Sequence, residues 1–102
     1  MSHGVIIIFM IISFRDKEAE RIFQRLRSRK ISGILGRVAL KKLLLIDAAE
    51  SVQDLRSPPG NRLERLSGNR KGQYSIRIND QWRICFQWSQ GNAIDVEIID
   101  YH

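Results

Sequence analysis

Along the last third of the chain, apolar residues fall on every second position. Tyr74, Ile76 and Ile78 form one such set, Trp82, Ile84, Phe86 and Trp88 a second, and Ile94, Val96 and Ile98 a third. This alternation of β-branched and aromatic residues predicts three strands with one buried face. Asn79-Asp80 and Gln90-Gly91-Asn92 are turn residues placed where the chain must reverse. A further strand is expected over 62–67, followed by a glycine-bounded loop, 68–72, with Arg70 and Lys71 at its tip.

Upstream the period lengthens. Ala19, Ile22, Phe23 and Leu26 fall at i, i+3, i+4 and i+7, which predicts an amphipathic helix over about 16–28. Leu35, Val38, Ala39, Leu43, Ile46 and Ala49 predict a second over about 34–50, with Leu44 and Leu45 widening its apolar face. Ser57-Pro58-Pro59-Gly60 ends the helical region, since it fits neither a helix nor a sheet ladder. The run Val5–Ile12 is too short to cross a bilayer and lacks the flanks of a signal peptide. It reads as a buried first strand ending over about 10–14, and a start at Met10 would leave 1–9 as an upstream extension. The expected architecture is α+β in one domain, two N-terminal helices on one face of a small, mainly antiparallel curved sheet.

Strand alternation assigns Ser75, Arg77, Arg83, Gln87, Asp95 and Glu97 to the second face of that sheet. The chain then closes on a carboxylate, a phenol and an imidazole, Asp100-Tyr101-His102. Charge adds to this picture. The chain is 43% hydrophobic and 27% charged, an ordinary globular balance, but its net charge is +6, which favours a polyanionic partner. No Lys or Arg follows Arg83, so earlier elements must bring the positive field to an acidic end. Around the first helix, Arg21, Arg25, Arg27 and Arg29 either meet phosphate or form a solvated face. Cys85 is the single cysteine, which rules out a disulfide within one chain. No His, Cys or carboxylate spacing marks a metal site. No nucleophile elbow accompanies His102 for a Ser-His-Asp triad.

Longer motifs carry a resemblance. The stretch Leu55-Arg56-Ser57-Pro58-Pro59-Gly60-Asn61-Arg62-Leu63-Glu64 continues through Leu66-Ser67-Gly68-Asn69-Arg70. Gly72-Gln73-Tyr74-Ser75-Ile76-Arg77-Ile78-Asn79-Asp80-Gln81-Trp82-Arg83-Ile84 follows, and Val96-Glu97-Ile98-Ile99-Asp100-Tyr101-His102 ends the chain. Together with Ile12-Ser13-Phe14 near the start, these resemble the HigB/killer-protein family of bacterial toxins, within the RelE-like superfamily, over about 10–102. The resemblance implies a cytoplasmic, ribosome-dependent endoribonuclease that cuts mRNA in the A site without metal or cofactor. It also implies silencing by a HigA-like helix-turn-helix antitoxin. Operator DNA would be met only through that complex, and no membrane is involved.

Cleaving RNA this way requires taking a proton from a 2′-OH, stabilising a pentacoordinate phosphate and protonating the 5′ oxygen. His102 suits acid or base work near neutral pH. Arg83 can hold the developing phosphoryl charge with a fixed fork of donors. Tyr101 can stack on a base or donate to phosphate. Asp100 can orient His102, accept the 2′ proton, or cap the strand's inner face. Relatives in the resembled family can carry histidine where Glu64 stands and lysine where Ser67 stands. Glu64 is then either the replacement base or an ion-pair partner for Arg62 or Arg77. Arg62, Arg65, Arg70, Lys71 and Arg77 are the candidate RNA- and ribosome-binding cations. The alternative reading is an RNA- or ribosome-binding module that blocks translation without cutting.

Overall fold

Two helices precede a meander of four strands in the protein, whose structure, a computed structural model, describes residues 11–101. Helix α1 spans Lys17–Phe23 and α2 spans Gly33–Ala48. Strands β1 (Glu64–Arg65), β2 (Gln73–Arg77), β3 (Trp82–Ser89) and β4 (Asn92–Asp100) form one antiparallel sheet in the order β1-β2-β3-β4. Beyond β4, the segment from Ile11 to Phe14 runs parallel to it, bridging Ile11 to Ala93 and Phe14 to Val96. The α+β class expected from the alternating periods is the one observed. The upstream part of the first strand and the 1–9 extension, with Met10, lie outside the described residues.

The helices cover the apolar face of the sheet. Ala39, Leu43 and Ile46 of α2 are fully buried with Ile76, Ile84 and Phe86 of the sheet. Burying side chains of this size is worth roughly 1.5–3 kcal/mol each. Asp16 ties α1 to β4, since its carboxylate accepts the amide N–H of Glu18 at 2.9 Å and that of Ile98 at 3.2 Å. Lys30 reinforces this junction by donating to the Ile98 carbonyl at 2.8 Å while its ammonium lies 5.5 Å from the Trp82 ring centre.

Three expectations are corrected. The first helix, predicted to reach residue 28, stops at Phe23. Arg25 turns left-handed there, with φ +63°. The Arg25 amide bonds the Ile22 carbonyl at 2.9 Å and the Leu26 amide bonds the Arg21 carbonyl at 2.7 Å. This crossed pair is a Schellman motif with arginine where glycine is usual. Leu26, expected on the apolar stripe, is therefore half exposed. The strand predicted over 62–67 shortens to Glu64–Arg65, with the Leu66 amide adding a bond to the Gln73 carbonyl at 2.8 Å. The preceding turn ends in Arg62 at φ +45°, while the following loop turns at Gly68.

The third correction concerns β4. Its register slips by one residue between the pairs Cys85–Glu97 and Gln87–Ile94. Asp95, at φ +54°, is the extra residue of a bulge. Ala93 therefore takes the buried position beside Val96, and Ile94 turns to the second face with Gln87. Ser13 docks on the bulge, its hydroxyl accepting the Asp95 amide N–H at 2.9 Å. Side chain contacts from a distant segment thus set the break in alternation.

Candidate active site

β3 pairs Arg83 with Arg77 on β2 and with Ile99 on β4. That register turns the Arg83 side chain to the face away from the helices. The residue is nevertheless only 4% exposed. Its Nε donates to the Ser75 hydroxyl at 2.9 Å. Its Nη2 donates to the Arg62 carbonyl at 2.6 Å and to the Ser75 carbonyl at 3.3 Å. A buried guanidinium needs such partners, because an unpaired one is very costly.

The Arg62 carbonyl is delivered by the proline turn. Pro59–Asn61 forms one 3₁₀ turn, and Arg62 closes it in the left-handed region. Asn61 is fully buried beneath it. The Asn61 amide donates to the Leu55 and Ser57 carbonyls at 3.1 and 3.2 Å, and its oxygen accepts from Lys42 of α2 at 2.5 Å. Burial, then repulsion from Lys41 and Arg77, pushes the Lys42 ammonium below its ordinary pKa. Helix α2 is thereby linked through the turn to Arg83.

Two further side chains converge on the guanidinium. The Tyr101 ring centre lies 5.3 Å from the Arg83 Cζ, an aromatic face over a cation. The Tyr101 hydroxyl donates to Glu64 Oε2 at 3.3 Å, and Glu64 Oε1 stands 4.0 Å from Arg83 Nη2. Glu64 thus faces Arg83 and Tyr101 rather than Arg62 or Arg77. β1 places it opposite Ser75, while Arg77 is ion-paired to Asp80 across the turn. An open cleft of about 400 Å³ borders this cluster, lined by Glu64, Leu66, Ser67, Arg70, Ile99 and Tyr101 among others.

The other predicted residues are placed differently. Asp100 pairs with Trp82 on the helix-side register, and its carboxylate accepts from the Gln81 amide at 3.2 Å. His102 lies outside the described residues. Arg70 is held in place, its Nη1 donating to Gln73 and to Glu97 at 3.0 Å each. Arg65 lies over Tyr74, 5.7 Å from the ring centre. Arg62 and Lys71 are exposed at opposite ends of the β1 segment. Cys85 is fully buried beneath this face, and burial pushes its thiol up to about 11, so it is no nucleophile at neutral pH.

Sequence reasoning missed the holders of Arg83. Ser75 was legible as a residue on the correct face, but the Arg62 carbonyl carries no side-chain signal. Chemically, the cluster offers a fixed cation, a phenol and a carboxylate beside an open cleft on one sheet face.

A family profile described as the RelE-like toxin of the type II toxin–antitoxin system HigB matches residues 12–102. Toxin HigB-1 of Vibrio cholerae serotype O1 (strain ATCC 39315 / El Tor Inaba N16961) is 44% identical over 87 residues, covering 84% of this chain and 92% of that protein. Endoribonuclease HigB of Proteus vulgaris is 32% identical over 96 residues, covering 91% of this chain and 100% of that protein. Among solved structures, the YoeB–YefM complex from Staphylococcus aureus is similar with a TM-score of 0.51 and 19% identity. That likeness covers 90% of this chain and 97% of the other, and it speaks to the fold alone.

Proposed function

The chain belongs to the HigB-like family of RelE-type toxins of type II toxin–antitoxin systems, and from that premise we propose that it is an endoribonuclease cutting mRNA in the ribosomal A site. The observation that carries the reading is Arg83, held on the sheet face by Ser75 and the Arg62 carbonyl with Tyr101 and Glu64 against it. The reaction is transfer of the phosphoryl bond from the 5′ oxygen to the neighbouring 2′ oxygen. The 2′-OH loses its proton, its oxygen attacks phosphorus, and the leaving 5′ oxygen takes up a proton.

Arg83 neutralises charge on the non-bridging oxygens as the pentacoordinate species forms. Its geometry is set beforehand, so the transition state meets donors that need no reorganisation. Glu64, with an exposed carboxylate facing the cleft, accepts the 2′ proton. Tyr101, or His102 beyond it, supplies the proton to the leaving oxygen. Asp100, bonded to Gln81 on the other register, serves His102 rather than phosphate. This chemistry needs neither metal nor cofactor.

The same reading assigns Arg62, Arg65 and Lys71 to phosphates of the mRNA or ribosome, with Arg70 and Arg77 fixing the surrounding loops. It covers one RelE-like domain, kept in the cytoplasm where ribosomes are, silenced by a HigA-like helix-turn-helix antitoxin and meeting operator DNA through it. No described helix is long and apolar enough to cross a membrane.

The test is primer extension on a translated mRNA with purified ribosomes, comparing the intact chain with Arg83→Lys and with a chain lacking His102. Arg83→Lys keeps the charge and loses the fork, so ribosome-dependent cutting should fall by about 10²–10³-fold. A folded Arg83→Lys protein that cuts at the original rate overturns the assignment. Ribosome stalling without cuts, from the intact chain, establishes instead the non-cleaving module.

A further inference from the structure

Where α1 ends and α2 begins, the structure leaves a second feature on the helix side of the molecule. A groove of about 360 Å³ opens there, floored by Ile22, Ile31 and Leu40 and rimmed by Arg25, Arg27 and Arg37. Leu26 on its lining is 50% exposed, and Ile34, which follows the lining residue Gly33 in the first turn of α2, is 78% exposed. Among the described residues no carboxylate pairs with Arg25, Arg27 or Arg37. Arg15, Lys30, Arg70, Arg77 and Arg83 have acidic neighbours. What sets the three groove arginines apart from other cations unpaired among the described residues, such as Lys71, is the apolar floor they surround.

We propose that this groove is the docking surface for an acidic, amphipathic segment of the antitoxin, with apolar anchors on Leu26 and Ile34 and carboxylates on the three arginines. The proposal rests on the toxin reading above for the existence of that partner. Charge complementarity is its main support: three arginines without a carboxylate partner among the described residues frame an apolar floor, and the chain as a whole carries +6. The apolar floor and the exposed Leu26 and Ile34 select protein over nucleic acid. No aromatic side chain lines this groove to stack on a splayed base.

Two local features agree. Helix α2 has no acidic residue in its first turn and no side-chain cap from Ser32, so its positive end adds to the field of the arginines. Arg25 holds a left-handed backbone at φ +63°, a conformation that glycine would take without strain. A side chain kept at such a position presents its charge where the chain turns, in the manner of strain stored at binding sites. Because the groove lies on the helix side, an occupant there would leave the Arg83 face of the sheet uncovered.

The experiment uses the full chain and the antitoxin encoded with it, purified separately, and measures affinity by titration calorimetry. Two variants are compared with the original protein, Ile34→Glu and the double change Arg27→Glu with Arg37→Glu. Each should weaken binding by at least about tenfold, with circular dichroism unchanged. Ile34→Glu alters an exposed side chain, so ribosome-dependent cutting without antitoxin should equal that of the original. Affinity within about twofold of the original in both variants overturns the proposal. So does lost ribosome binding with antitoxin affinity intact, which would make the groove an RNA surface. If the original chain cuts nothing yet the variants lose antitoxin, the catalytic reading fails and the docking surface stands.

Discussion

A guanidinium only 4% exposed is an unusual phosphate clamp, and its surroundings explain how it can be one. Ser75 and the Arg62 carbonyl absorb the donors on one edge, leaving a side chain whose position is fixed before substrate arrives. Fixed donors serve a developing charge better than mobile ones, since no reorganisation occurs at the moment of reaction. Glu18 shows the opposite use of a single charged group, holding structure rather than performing chemistry. Its Oε1 accepts the Ser28 hydroxyl and the Arg29 amide at 2.8 Å each. The Ser28 hydroxyl first, then the Arg29 amide, holds its carboxyl below the ordinary value of 4.5. A depressed folded pKa means that the stabilisation is complete above the unfolded value and is lost as pH falls through the folded one. The stability difference between the original chain and Glu18→Gln should thus be full at neutral pH and shrink through the acid range below 4.5. Urea titrations at several pH values check it, and a difference independent of pH would remove the assigned role.

The elements show what periodicity can and cannot reveal. Helix α2 was readable because Ala39, Leu43 and Ile46 obey one spacing and no competing signal interrupts them. Strands β2 and β3 were readable for the same reason, down to Ser75 and Arg83 sharing a face. The bulge at Asp95 was not, since it depends on Ser13, 82 positions earlier in the chain. Nor was the end of α1, where the apolar stripe runs on to Leu26 while the backbone has already turned. Nothing in an arginine announces a left-handed residue. The candidate site was legible as residue types, Arg83, Tyr101 and Glu64. Its architecture was not, because a backbone carbonyl and a fully buried Asn61 do the positioning. The Schellman turn itself yields a test. Arg25→Gly relieves a strained φ at an exposed C′ position, so it should stabilise the fold by about 0.5–1 kcal/mol. Thermal melts would show this as a rise, and a fall would mean that the arginine side chain itself anchors the turn. The same substitution should weaken antitoxin binding, the expected trade of stability for function.

At the scale of the molecule, charge is sorted onto two sides. The helix end carries Arg25, Arg27 and Arg37 around an apolar groove, while the second sheet face carries Arg83 beside an open cleft that Arg65 and Arg70 help to line, with Arg62 and Lys71 exposed nearby in the chain. The chain's acidic end, Asp95 to Asp100, partly offsets the second group, since Glu97 takes both Arg70 and the more distant Arg15. This sorting separates two cations that sequence alone makes equal. Arg70 and Lys71 are neighbours at one loop tip, yet Arg70 is occupied by Glu97 and Gln73, whereas the described residues offer Lys71 no such partner. Each phosphate neutralised releases counterions, so the slope of log affinity against log salt counts the contacts made. Lys71→Ala should lower that slope for ribosome binding by about one. Arg70→Ala should change the slope less, because its charge is already spent on Glu97, and should act mainly by loosening the loop. Binding measured across a range of potassium chloride concentrations separates the two. Equal slopes for the two variants would mean that Arg70 leaves Glu97 to meet phosphate, and an unchanged slope for Lys71→Ala would take the loop tip out of the RNA surface altogether.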